Sequence, residues 1–360
     1  MARAKSKSSP RKKKLRYAFI GAGGIAGAHM MYLQKMADVE MVAMADISTA
    51  SMKAKSEQFG IPHIFTDYEK MLAEIQPDAV SVCTPNGMHA PASIAASKAG
   101  AHVMVEKPLA MNATEGQQML DAAKKADRKL VSGFQYRFGQ KTRFLREAVE
   151  AGDFGNILYT RCQALRRRGI PNWGVFGRKD LQGGGPLIDI GVHIIEVAHY
   201  VMGSPKPVSA NASAFTYMGN KKSRTYSAWP NWDHKTYTVE DLAVGNIRFD
   251  NGAMMTVEAS FVAHIEKDIL DFEVMGEKAG GRWGDPAIFR DDRRHMVNIV
   301  PAHLGSDAFG DHFEAKMRNF VDHCLHDKPT LAPAEHGLMV QKILDGLYES
   351  AEKGKEVAIK

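Results

Sequence analysis

A chain of 360 residues that is 44% hydrophobic and 24% charged is long enough for two domains with substantial cores and has the composition of a soluble globular protein. Its net charge of +6 sits in residues 1–14, where Arg3, Lys5, Lys7, Arg11, Lys12, Lys13 and Lys14 stand without an acid; of 47 Lys and Arg, 40 remain against 41 Asp and Glu, so the body is near neutral and no nucleic-acid surface is expected. No apolar run reaches the length of a membrane span, and Cys83, Cys162 and Cys324, widely spaced and without a C-x-x-C pair, argue against a disulfide framework and a cysteine zinc site.

Residues 1–14 read as a disordered basic tail, rich in Ser, Lys, Arg and Pro. The tail lacks the apolar core of a secretory signal, which points to a cytoplasmic protein. Residues 15–20 (LRYAFI) form a strand that runs into Gly21-Ala22-Gly23-Gly24-Ile25-Ala26, and apolar residues through Met36 make the next segment helical. A second strand, 39–45, ends at Asp46. In this G-x-G-x-x-A turn Gly21 permits the tight bend, Gly23 lets the backbone approach a pyrophosphate, and Ala26 allows close packing of helix on strand. The helix N-terminus offers free N–H groups to phosphate. Asp46, 25 residues beyond Gly21, is placed to take the adenine ribose hydroxyls. No arginine follows it, which favours NAD over NADP, although Lys53 and Lys55 lie on the next helix.

Strand and helix then alternate: helix 49–59, strand 63–65, helix 68–74, strand 79–83, helix 88–99, strand 102–105, helix 114–126 and strand 129–133. Such a series implies a doubly wound parallel sheet of Rossmann type, assigned here to 15–135. Glu106, Lys107 and Pro108 fall just past a strand's carboxyl end, where ligands sit in such sheets. Beyond Gln135 the pattern changes to helix 138–151, strand 157–165 and alternating segments at 243–249, 253–262 and 269–275. These imply an α+β domain with a mainly antiparallel open sheet over 136–334, a surface for substrate or for subunits of a homo-oligomer, dimer or tetramer. A last helix, 335–352 within a closing segment 335–360, returns toward the first domain.

Between the sheets lies Gly183-Gly184-Gly185-Pro186-Leu187-Ile188-Asp189-Ile190-Gly191-Val192-His193. Pro186 suits the first turn of a helix, and Asp189 and His193, four apart, share one of its faces. An acid beside a histidine serves proton transfer near neutral pH; the alternatives are a helix-surface salt bridge and a satisfied core histidine. A metal bound through His193 and Glu196 lacks a convincing third ligand, so none is expected.

On these stretches, together with C-T-P-N-G-M-H at 83–89, the chain resembles the family of glucose-fructose oxidoreductase, inositol dehydrogenase and rhizopine-catabolism oxidoreductases (Gfo/Idh/MocA), from Leu15 to the last helix. The resemblance implies that Lys107 and His193 are the catalytic pair with Asp189 their partner, that Pro108 closes a cis peptide, and that Gly21, Gly23, Gly24, Ile25, Asp46, Thr84, Asn86, His89, Glu106 and Lys107 line NAD. It also implies a sugar, polyol, glycoside or cyclitol substrate. His193 is the expected base, with Lys107 on the reacting oxygen; the converse assignment stays open. Arg166, Arg167, Arg168, Trp173, Tyr237 and His264 are candidates for the substrate pocket, with packing under a loop the alternative for Trp173 and a solvated strand end for the arginines. Two further readings are a hydrolase or lyase that uses NAD as a transient oxidant, and a dinucleotide-binding sensor without turnover.

Overall fold

The structure, a computed structural model, describes residues 14–360. The expected basic tail lies outside the described residues, apart from Lys14.

Six strands form the first sheet: β1 (Leu15–Ile20), β2 (Val39–Ala45), β3 (His63–Phe65), β4 (Ala79–Val82), β5 (His102–Val105) and β6 (Leu130–Ser132). All pairs are parallel, in the order β3-β2-β1-β4-β5-β6. Buried on both faces, these strands read as apolar runs: Tyr17, Ala18, Phe19, Val80, Val103, Met104 and Val105 are wholly covered. Strand order reverses between β1 and β4, which makes the crevice beyond their carboxyl ends the natural place for a ligand. The glycine-rich turn follows β1, and Thr84 follows β4.

Nine strands make the second sheet: β7 (Ile157–Leu165), β8 (Pro207–Phe215), β9 (Leu242–Phe249), β10 (Met254–Ser260), β11 (Ile269–Gly276), β12 (Ala279–Arg282), β13 (Ala287–Asp292), β14 (His295–Ile299) and β15 (Val357–Ala358). Neighbours are antiparallel except β7 and β10. The inner face, with Cys162, Ala164, Met255, Val257, Ala259, Phe272 and Val274, is covered by the helix Val192–Val201. The opposite face carries polar cross-strand pairs such as Arg161 with Glu273, but also Val244 and Met275, which are exposed. Strands β12 to β14 are absent from the sequence reading, being short and broken by glycine or charge.

Two C-terminal helices tie the sheets together. Ala334–Lys353 packs on β8 and on the helix Ala113–Lys125, whose first N–H, from Ala113, donates to Asp345 Oδ2 at 2.6 Å. The helix Phe309–His326, which the sequence reading passes over, lies against the first helix, Gly24–Leu33. Its buried face runs His312, Phe313, Lys316, Met317, Phe320 and Val321, a helical stripe with a lysine in the middle.

Candidate active site

The turn after β1 leaves room for a dinucleotide backbone. Gly21 has φ of +96°, and a Cβ there would meet the Cys83 carbonyl oxygen at 2.5 Å, so no other residue fits. In front of Gly23 and Gly24 nothing stands within 4 Å, and no side chain caps the helix that begins at Gly24. Its free N–H groups face open space, as a pyrophosphate requires. Asp46 accepts from Ala22 N at 2.6 Å and Ser48 N at 2.7 Å, which fixes its carboxylate beside the turn. Thr84 Oγ1 is buried without a partner at the same edge. These features fit NAD, held by the turn, the helix end and Asp46.

Two residues expected to line the cofactor are tied into the loops around it. Asn86 is buried and donates from Nδ2 to the Gln182 carbonyl at 2.9 Å. His89, also buried, has Nδ1 at 2.8 Å from the Pro108 oxygen and Nε2 at 3.0 Å from the Thr84 oxygen. Both side chains thus tie loops together at the crevice, the helix that begins at His89 turning that ring into the space between two loop carbonyls.

Beneath the loop lies a buried ionic cluster that sequence reasoning missed. Glu106 Oε1 accepts from Lys316 Nζ at 2.6 Å and from His29 Nε2 at 2.9 Å, and Oε2 lies 3.3 Å from the Lys107 N–H. Burial opposes the ionised carboxylate, but the charge of Lys316 and the His29 hydrogen bond outweigh it and hold Glu106 far below the usual carboxylate range. Burial, with Lys316 adding to it, pushes His29 down to about 4, so the ring is neutral. The hydrogen bonds then run one way: Tyr17 O–H to Ser81, Ser81 to His29 Nδ1, and His29 Nε2–H to Glu106, at 2.7, 2.9 and 2.9 Å. Gly133 leaves the space the carboxylate fills, since a Cβ there would lie 2.8 Å from Oε1.

Lys107 emerges above this cluster, and its bond to Pro108 is cis. Its ammonium donates to Asp189 Oδ1 at 2.9 Å and to the Asp189 carbonyl at 2.8 Å. Two of three N–H groups are thus used and one is left for a ligand. Asp189 therefore partners Lys107, whereas the sequence spacing also offered it to His193. The segment Leu187–Gly191 forms a π-helical turn ahead of the helix Val192–Val201, a distortion common at functional sites. Glu240 holds that turn, accepting from Gly185 N, Leu187 N and the Tyr348 hydroxyl at 2.9, 3.1 and 2.8 Å. The His193 ring packs edge-on to Tyr136 at 5.3 Å, and its Nδ1 is buried without a partner. Burial, then the charge of Lys107, push its pKa well below 6.5. Glu196 is turned away, accepting from Arg137 Nε at 2.7 Å with both side chains fully buried, which removes it from any shared site with His193.

These groups line one cavity of about 530 Å³, with Ile25 and Glu106 on the dinucleotide side and Tyr136, Arg166, Trp173 and Phe309 around it. Arg166 lies between the rings of Trp229 and Phe261, at 5.0 and 5.4 Å. Trp173 is 50% exposed and meets Trp229 edge-on at 4.8 Å. Of the other candidates, Arg167, Arg168 and His264 line a second cavity, and Tyr237 is buried with its hydroxyl on the Glu240 carbonyl, a packing role.

A dinucleotide laid across the strand-order reversal ends at Ile25 and Lys107, facing that cavity, which is the architecture of an NAD-binding oxidoreductase. Residues 15–134 match the profile described as "Oxidoreductase family, NAD-binding Rossmann fold", and residues 146–359 match its "C-terminal alpha/beta domain". The chain belongs to the Gfo/Idh/MocA oxidoreductase family. It is 38% identical over 355 residues to the D-glucoside 3-dehydrogenase of Escherichia coli K12, covering 98% of this chain and 100% of that protein. To the myo-inositol 2-dehydrogenase of Thermotoga maritima it is 26% identical, covering 96% and 98%. In fold it matches levoglucosan dehydrogenase solved with NADH and levoglucosan, at a TM-score of 0.84 and 24% identity, covering 96% of this chain and 100% of that one. Among the described residues no helix is long and apolar enough to cross a membrane.

Proposed function

We propose that the chain oxidises a secondary hydroxyl of a sugar, glycoside or cyclitol, with a D-glucoside the first substrate to test. The observation that carries the reading is the union of Lys107 and Asp189 beside the His193 ring at the sheet's carboxyl edge, in a cavity continuous with the helix end at Ile25. The full-length similarity to a glucoside dehydrogenase supports the substrate class. Bound NAD supplies the hydride acceptor. The hydroxyl must lose its proton as the carbinol hydrogen leaves, so a base and an oxygen-stabilising donor must reach it together. His193, neutral because of its burial, takes the proton. The remaining N–H of Lys107 donates to the same oxygen and stabilises the charge that builds there, while Asp189 fixes the ammonium. Arg166 supplies donors to the ring hydroxyls, and Trp173 offers an apolar face to its C–H groups. In reverse the same groups reduce a ketone. A homo-oligomer, dimer or tetramer, forms through the open face of the second sheet, where Val244 and Met275 are uncovered.

A screen of sugars, cyclitols and glycosides with NAD and NADP, followed by nicotinamide absorbance, tests the reading. Lys107→Ala and His193→Ala should each lower turnover by about a hundredfold or more while NAD still binds. Near-normal turnover in either variant removes that residue from the chemistry. Glycoside cleavage without net NADH would assign the transient-oxidant cycle in place of dehydrogenation.

A further inference from the structure

We infer that the substrate carries a second sugar ring beyond the one oxidised, held in a subsite built by the loop 216–241; the inference rests on the glycoside reading above. That loop joins adjacent strands β8 and β9, where a few residues would suffice. It is pinned in place: Trp232 Nε1 donates to the Gly219 carbonyl at 2.7 Å, Asn172 Nδ2 to the Pro230 carbonyl at 2.7 Å, and Thr238 N to the Gly177 carbonyl at 2.8 Å. So held, it borders two cavities. At the first, Trp229 backs Trp173 and Arg166, which line it. Thr225, Tyr226 and Ser227 line the second, of about 560 Å³, opposite Arg167, Arg168 and His264.

Asp268 lines both cavities, and its Oδ1 accepts from Arg167 N at 2.7 Å, so the two spaces meet at a fixed carboxylate. The first must already receive the reacting ring and the reactive end of the cofactor. The second is lined mainly by groups that suit a hydroxyl-rich guest. Tyr226 presents its whole ring to solvent, at 102% relative exposure, a platform for the C–H face of a pyranose. Arg168 donates from Nη2 to His264 Nε2 at 3.1 Å, while its Nε is buried without a partner. Arg167 has one terminal nitrogen on the Glu266 carbonyl and is otherwise open, and neither guanidinium is in an ion pair among the described residues. Planar donors, hydroxyls, one carboxylate and an aromatic platform together recognise neutral vicinal hydroxyls. An alkyl aglycone would strand these polar groups without partners.

The test compares methyl α- and β-D-glucopyranoside with maltose and cellobiose as substrates of the full-length protein. The disaccharide of the matching linkage should show a kcat/KM about tenfold above its methyl glucoside, the size of one or two well-made hydrogen bonds. Arg167→Ala and Tyr226→Ala, both at exposed positions, should abolish that advantage and leave the methyl glucoside within about twofold of wild type. A disaccharide no better than the methyl glucosides, or variants that weaken both alike, overturns the subsite. Maltobionate exceeding maltose by more than about tenfold, lost in Arg167→Ala, would overturn the neutral ring in favour of an anionic group. Calorimetric titration of the NADH-loaded protein with the same sugars separates the two layers of inference. Disaccharide binding that depends on Tyr226, without turnover, retains the subsite and rejects the dehydrogenase reading; binding of neither sugar rejects both.

Discussion

Replacing Lys316 by methionine preserves bulk and removes one charge from a buried site. Glu106 would then keep a single strong donor, His29, where it now accepts from Lys316 at 2.6 Å as well. Breaking a buried pair by removing one partner costs about 3–5 kcal/mol, because the survivor's desolvation goes uncompensated. Over 360 residues with an unfolding entropy of about 2.1 cal/mol/K each, that is a fall in Tm of about 4–7 °C. The pH dependence identifies the cause. In the native protein Glu106 titrates below its ordinary value of 4.5, so its contribution is complete above that value and is lost as pH falls through the lower folded one. In the variant, burial acts with little opposition and raises the folded value, so the folded state takes up a proton and regains stability on acidification. The Tm gap to wild type should therefore narrow between pH 8 and pH 5, and adding Glu106→Gln should recover most of the loss at pH 8. Scanning calorimetry across that range decides it. A variant melting within about 1 °C of wild type, or a gap that does not change with pH, refutes the argument.

Because burial and the Lys107 charge depress His193, kcat/KM at saturating NAD should stay level from pH 8 down to about pH 6 and fall only below; a limb centred near 6.5 would exclude this imidazole as the base. Asp46→Ala should weaken NAD and relieve repulsion of a 2′-phosphate, so the ratio of the two affinities in fluorescence titrations should move toward NADP. Gly21→Ala puts a methyl 2.5 Å from the Cys83 oxygen at a φ of +96°, and should cost at least about 2 kcal/mol of stability in denaturant melts and abolish NAD binding. Met275→Glu on the open sheet face should shift sedimentation to smaller species without altering turnover per chain; an unchanged sedimentation coefficient moves the interface elsewhere.

What the sequence made legible was periodic or contiguous. The parallel sheet announces itself because its strands are apolar runs between amphipathic helices, and Lys107, Asp189 and His193 stand in short motifs at element ends. The helix Phe309–His326 escaped notice because His312 and Lys316 interrupt an apolar stripe that is otherwise at helical spacing. A lysine reads as solvent-facing until the carboxylate that accepts it is known, and Glu106 lies 210 positions away. His29 has the same history: on the first helix it resembles any satisfied polar residue, and only the parallel arrangement of β1, β4 and β5 brings Ser81 and Glu106 to its two nitrogens. Glu196 and Asp189 show the same limit of local spacing, although the family resemblance already implied that Asp189 partners Lys107. Spacing along one helix proposes neighbours, while the actual partners, Arg137 and Lys107, arrive from other elements.

The helix Phe309–His326 also sets an order of events during synthesis. All six strands of the first sheet have been made once Ser132 is in place, yet the lysine that neutralises Glu106 is translated 210 residues after it. At about 5–20 residues per second, the nascent chain spends roughly 10–40 s with that carboxylate lacking its counter-charge. Over that interval the crevice must stay hydrated or Glu106 must hold a proton, and the surface around His29 and Tyr17 that Phe313 and Phe320 later cover is open to chaperones and to other nascent chains. A chain released after a residue between 135 and 308 would thus present a sheet complete in its strands but unfinished beneath its ligand crevice, and the last fifty residues would act as the latch that commits the first half of the chain.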